Sequence, residues 1–151
     1  MKLVFQFVAE HTVGSALIRW FTQSRFSHVD VVLPDGRLLG ARLWGGVRIR
    51  PPDYIKRLAR VERVEVDLWG TQKALAFCTS QIGAGYDWRA ILAFVTGVRK
   101  KSWRTPGAWF CSELAARVLE IAGDFKFGVE TVHISPGALY LATSPVEHAF
   151  W

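Results

Sequence analysis

Apolar and polar positions in the first half of the chain follow two periods. "KLVFQFVA" is an apolar run of strand character, and "TVGSALIRWFTQ" spaces Leu17, Trp20 and Phe21 so that they share one face of a short helix. In "FSHVDVVL" the period falls to two. Phe26, His28, Asp30 and Val32 lie on one side of a predicted strand, and Ser27, Val29, Val31 and Leu33 on the other. Pro34-Asp35-Gly36 supplies a turn, and "RLLGARLWGGVRIR" returns as an antiparallel partner that bends at Gly45-Gly46. After Pro51-Pro52 a helical turn is expected around Tyr54 to Leu58. It leads into "RVERVEVDL", where Val61, Val64 and Val66 suggest another strand.

The second half is helical in pattern. "TQKALAFCTSQIG" carries Leu75, Cys78 and Ile82 at helical spacing, which makes Cys78 a core residue; "YDWRAILAFVTG" is apolar enough to pack inside, with Asp87 as its N-terminal cap. "CSELAARVLEIAG" stops on Gly123, and Glu113 and Arg117 stand at the spacing of a helical ion pair. A short helix is expected after Ser135-Pro136. Strands early and helices late, without regular alternation, predict an α+β fold in which a small antiparallel sheet packs against helices. No repeat or linker interrupts residues 1–151, so one domain is expected, as the 151-residue length also favours.

Composition narrows the classes. Half of the residues are hydrophobic and 21% are charged, which excludes a disordered or collagen-like chain. Nineteen Lys and Arg against 13 Asp and Glu give a net charge of +6, and the basic residues gather between Arg42 and Arg63 and in "VRKKSWR". Contact with an anionic surface through Arg99, Lys100, Lys101 and Arg104, beside Trp103, is one reading and a solvated basic face is the other; specific nucleic-acid recognition is not expected. Two cysteines without CxxC or HxxxH spacing predict free thiols, no metal and no organic cofactor. The opening "MKLVFQFVAEH" is too short an apolar run for a secretion signal, and no stretch reaches the ~18 apolar residues of a membrane span, so a cytoplasmic location is expected.

Cys111 is the residue that raises a chemical question. With Leu114, Ala115, Val118 and Ala122 it forms one helical stripe, which by itself describes an inert, buried thiol. Its position argues otherwise. Pro106-Gly107 breaks the chain ahead of it, placing Cys111 in a first helical turn, where unpaired N–H groups and the helix dipole favour an anion and can hold an oxyanion. A nucleophilic cysteine needs a base. His11 falls in a predicted loop, His133 near the last helix and His148 near the C-terminus. His28 stands at the start of a strand beside small Ser27 and on the same side as Asp30.

Taken together, "FSHVDVVLPDGRLLGARLWGGVRIRP", "YDW" and "WFCSELAARVLEIAG" resemble the circularly permuted branch of the NlpC-type papain-like superfamily, which includes YiiX-like and lecithin:retinol acyltransferase-like proteins. In that branch the histidine strand precedes the cysteine helix, as His28 precedes Cys111. The resemblance implies a permuted papain-like fold with Cys111 as nucleophile and His28 as general base. It further implies a thiol hydrolase or acyltransferase that attacks an amide, ester or thioester in a peptide, cell-wall or acyl-lipid substrate. The family orients its imidazole with a polar residue on the following strand, where this chain has Gly40-Ala41-Arg42-Leu43. That task then falls to a backbone carbonyl, to water, or to Asp30, whose side chain is expected 6 to 7 Å away by strand rise, about two residues of extension. Tyr86 matches a tyrosine that lies near the cysteine in related enzymes, with core packing as its alternative. A reading from a different class is an inert module that holds an anionic polymer or membrane on its basic faces.

Overall fold

A computed structural model of the chain describes residues 1–89, 92, 96, 105–123 and 125–144. The alternating segments of the first half become a single sheet. β1 (Lys2–Glu10) pairs antiparallel on both of its edges, with β2 (His28–Val32) and with β5 (Leu58–Asp67). β3 (Leu38–Arg42) returns from β2 through Pro34-Asp35-Gly36, where Gly36 takes φ +83° and the Arg37 N–H donates to Asp35 Oδ1 at 3.0 Å. β4 (Gly46–Arg50) completes the order β4-β3-β2-β1-β5 after a turn at Gly45 and Gly46, both with positive φ.

Among the described residues, helices run over α1 (Val13–Thr22), α2 (Thr71–Ser80), α3 (Cys111–Ala122) and α4 (Pro136–Thr143), with a 3-10 turn at Thr131–His133; residues 88, 89, 92 and 96 are helical as well. A small parallel pair not foreseen from the sequence, β6 (Gly85–Tyr86) with β7 (Ala108–Trp109), delivers the chain to α3. The architecture is therefore α+β, a five-stranded antiparallel sheet with helices. α3 packs against β2 and β3, and its stripe of Leu114, Ala115, Val118, Leu119 and Ala122 meets Leu3, Phe5 and Phe7 of β1, Val29 and Val31 of β2, and Leu39 and Ala41 of β3. Each buried Leu or Phe in that layer contributes roughly 1.5–3 kcal/mol relative to exposure, so the layer fixes the position of the first turn of α3.

Several local expectations change. Tyr54 to Leu58 is not helical: Pro51–Arg57 forms a turn and an irregular loop, and Leu58 already belongs to β5. Within β5, Val64 is buried and Val61 half exposed, because 61 and 64 differ in parity and so point to opposite faces. The apolar face of α1 is not a core face, since Trp20 remains 67% exposed and packs edge-on against Phe21. α2 ends at Ser80, leaving Ile82 in the exposed turn that follows. Glu113 does not pair with Arg117. Its buried carboxylate folds back to accept the Phe110 N–H at 3.3 Å, sealing the start of α3, while Arg117 pairs with Glu120 at 2.7 Å.

Candidate active site

Three segments converge where β2 begins: the first residues of that strand, the first turn of α3, and the loop after β4. Asp30 and His28, two residues apart on one strand, share a face with Gly40 of β3, whereas Val29 and Val31 point to the α3 core. His28 is the first residue of β2, so its ring sits at the sheet margin and reaches both the β4 loop and the helix. Cys111 opens α3 with its sulfur 4.0 Å from the Ser27 carbonyl oxygen, near enough to His28 for its charge to bear on the imidazole.

Asp30 is much nearer to His28 than strand rise alone allows. Its Oδ1 lies 2.8 Å from Nε2. The cause is Gly40, since a Cβ there would overlap Oδ1 and approach the Asp30 Cγ to 3.1 Å. The missing side chain lets the carboxylate lie flat on the sheet and turn back toward the imidazole. Oδ1 has no well-aligned hydrogen-bond donor among the described residues, so its approach to Nε2 is chiefly a charge contact.

Tyr54 closes the arrangement, and sequence reasoning missed it. Its hydroxyl donates to Asp30 Oδ2 at 2.7 Å. A phenol has one proton, so at its other contacts the same oxygen accepts, from Arg42 Nη1 at 3.1 Å and from His28 Nε2 at 3.1 Å. The network thus assigns a hydrogen to Nε2 and leaves Nδ1 as the ring nitrogen that these groups do not engage. Arg42 is held in turn by an ion pair with Glu10 and lies over the Tyr54 ring, 5.2 Å from its centroid.

The electrostatics follow from burial and pairing. His28 and Asp30 are 6% and 1% exposed. Burial opposes a charge on His28, but the Asp30 carboxylate and then the Cys111 thiol outweigh it and raise the imidazole from 6.5 to about 9. Burial likewise opposes ionisation of Asp30, yet the imidazolium and the Tyr54 hydroxyl hold its carboxyl below the usual value. Burial, followed by the Asp30 charge, pushes the Tyr54 phenol upward, which keeps its donated proton in place.

A cavity of about 330 Å³ opens beside this cluster, with Ser27, His28, Ala41, Arg42, Trp44 and Tyr86 in its wall. Cys111 is 2% exposed and forms no part of that wall, although Ser27, whose carbonyl oxygen its sulfur approaches, does. Tyr86 stands close to Phe110, their ring centroids 6.0 Å apart; burial raises its hydroxyl first, and the nearby Cys111 adds to that.

Among the other residues singled out from the sequence, Cys78 is fully buried in the last turn of α2, and burial pushes its thiol up to about 12. Asp87 is fully buried and accepts from the Arg89 N–H at 3.2 Å, as expected of a cap; it also accepts the Thr105 N–H at 3.0 Å and so ties two loops together. Most of the predicted "WRAILAFV" helix, the basic run with Arg99, Lys100, Lys101, Trp103 and Arg104, and His148 lie outside the described residues. His11 is exposed and His133 sits in the 3-10 turn; neither is part of the cluster. Among the described residues no group of three His, Cys, Asp or Glu side chains could hold a metal ion, and no helix is long and apolar enough to cross a membrane.

Comparison with known protein families finds no matching family model, and comparison with curated proteins finds no significant match.

Proposed function

We propose that the chain is a cysteine-dependent acyl-transfer enzyme of permuted papain-like type, with Cys111 as nucleophile, His28 as base and acid, and Asp30 and Tyr54 as the residues that position His28. The observation that carries this reading is the buried His28–Asp30–Tyr54 cluster beside the first residue of α3, in which Asp30 and Tyr54 engage Nε2 of His28 and leave Nδ1 free of them. The order of the histidine strand before the cysteine helix agrees with it.

In this reading His28 takes the Cys111 proton at Nδ1 and is stabilised as an imidazolium by Asp30. The sulfur attacks the carbonyl carbon of an amide, ester or thioester, and the electron pair moves to the carbonyl oxygen. The positive end of the α3 dipole would stabilise that developing charge. Collapse of the tetrahedral species breaks the bond to the leaving group, which departs with the His28 proton. Water or a second acceptor, deprotonated by His28, then releases the acyl group from the thioester.

The test is alkylation with iodoacetamide, a reagent small enough for a buried thiol, between about pH 4 and 9, with the modified cysteine mapped by mass spectrometry. Cys111 is expected to be modified at neutral pH ahead of Cys78, and His28→Ala is expected to slow that modification. A wild-type protein in which Cys111 stays unmodified until strongly alkaline pH would rule the reading out.

A further inference from the structure

A second cavity of about 410 Å³ adjoins the first, and Glu10, Thr12, Arg42 and Trp44 line both. Its own wall adds Arg50, Tyr54, Lys56 and Arg57. Four cations therefore face a space to which one carboxylate, Glu10, contributes directly. Glu10 is taken by Arg42, and Lys56 is paired at 3.1 Å with Asp53 just outside.

Arg50 and Arg57 remain without a carboxylate partner among the described residues. Arg50 donates only to neutral backbone oxygens, of Gly40 at 2.9 Å, Gly46 at 3.0 Å and Arg48 at 3.3 Å. It is partly buried, and burial presses its pKa down; Tyr54 and Asp30 oppose that, and the neighbouring Arg42 and Arg48 charges add to it. A half-desolvated cation among like charges gains when an anion arrives, and two guanidinium forks on one concave wall suit a planar or tetrahedral oxyanion.

Resting on the acyl-transfer reading, we infer that this cavity is a specificity subsite for an anionic group, a phosphate or a carboxylate, on the acyl compound whose carbonyl enters beside His28. The anion takes no part in the chemistry. It anchors one end of the substrate at Arg50 and Arg57, while the shared Arg42–Trp44 wall leads its other end to the Cys111–His28 pair. Trp44, 87% exposed at the junction, offers an apolar surface to the connecting segment.

The experiment is calorimetric titration of the full chain with phenyl phosphate and, separately, with phenylacetate, alongside iodoacetamide labelling of Cys111 with and without each probe. Saturable binding of at least one probe is expected, at least tenfold weaker in Arg57→Gln, weaker at higher salt, retained in Cys111→Ala, and accompanied by slower labelling of Cys111. Preference for phenyl phosphate identifies a phosphate ester as the source of the anion, and preference for phenylacetate a free carboxylate. Arg57 is exposed and its side chain holds no other element in place, so the variant is expected to fold; Arg50→Gln, checked by its melting temperature, is the second. No saturable binding, equal affinity in wild type and Arg57→Gln, or binding that leaves labelling of Cys111 unchanged would each overturn the inference. Labelling of Cys111 without any probe reports on the acyl-transfer reading separately, so failure of either is distinguishable from failure of the other.

Discussion

Gly40→Ala is the substitution that most directly tests how Asp30 reaches His28. The added methyl would overlap Asp30 Oδ1 and lie 3.3 Å from the Val29 carbonyl oxygen, so either the carboxylate or the strand must move. Overpacking of this kind costs roughly 1–3 kcal/mol in a buried site. A second loss adds to it. Raising His28 from 6.5 to about 9 corresponds to roughly 3 kcal/mol of folded-state stabilisation, a share of which comes from Cys111 and the rest from Asp30. Because the folded-state value is the higher one, that stabilisation is complete below about pH 6.5 and is lost as pH rises through about 9. The paired carboxylate works in the opposite direction: its contribution is present above the ordinary Asp value and is lost in acid, as pH falls through the depressed one. Urea unfolding of wild type and Gly40→Ala at several pH values, with the His28 ring titration followed by NMR, measures both effects. The variant should be less stable throughout, with a gap that is widest near pH 6 and narrows toward pH 10, and its His28 midpoint should drop by at least one pH unit. A variant whose His28 still titrates near 9 would refute the claim that the absent side chain at position 40 brings Asp30 to the ring.

Further outcomes follow from the same network. Tyr54→Phe removes one donor to Asp30 and the acceptor for Nε2–H and Arg42; a stability loss of about 1–3 kcal/mol and a lower His28 midpoint are expected, with unfolding and NMR titration as the checks. Cys78, pushed up to about 12 by burial, should remain unlabelled by iodoacetamide at pH 8 under native conditions and become reactive only on unfolding, as mass mapping would show. Leu114→Ala, one turn along α3 from the thiol, should cost about 2–5 kcal/mol in denaturant unfolding and slow Cys111 alkylation in the protein that remains folded, since the layer that fixes the helix is loosened.

Much of this arrangement is legible before any coordinates. The two-residue period of "FSHVDVVL" and the Pro-Asp-Gly turn give the β2–β3 hairpin, and Pro106-Gly107 followed by a 3.6-residue stripe gives α3 with its cysteine in the first turn. What escaped depends on atoms that are absent or on contacts between segments remote in sequence. The distance from Asp30 to His28 is overestimated when counted along one strand, because the room for the bend comes from Gly40 on another. Tyr54 lies in a Pro-rich loop with no period to place it. Its signal is a lone aromatic hydroxyl between two basic strands, which indicates neither a face nor a partner. The Glu113 capping contact was signalled by an acidic residue at the third helical position, a pattern that competed with the i,i+4 pairing and won because the carboxylate is buried.

The imidazole and its carboxylate sit on the same short strand, whereas the thiol arrives on a helix much later in the chain. One half of the proposed reactive centre is therefore a product of local folding, and the other depends on long-range docking. A chain with its early hairpin formed but α3 still undocked would hold the imidazole and its carboxylate together without the thiol beside them, so acyl transfer would report that α3 has seated. On the proposed function, partly folded forms, during synthesis or under stress, would be chemically silent toward the acyl bonds around them.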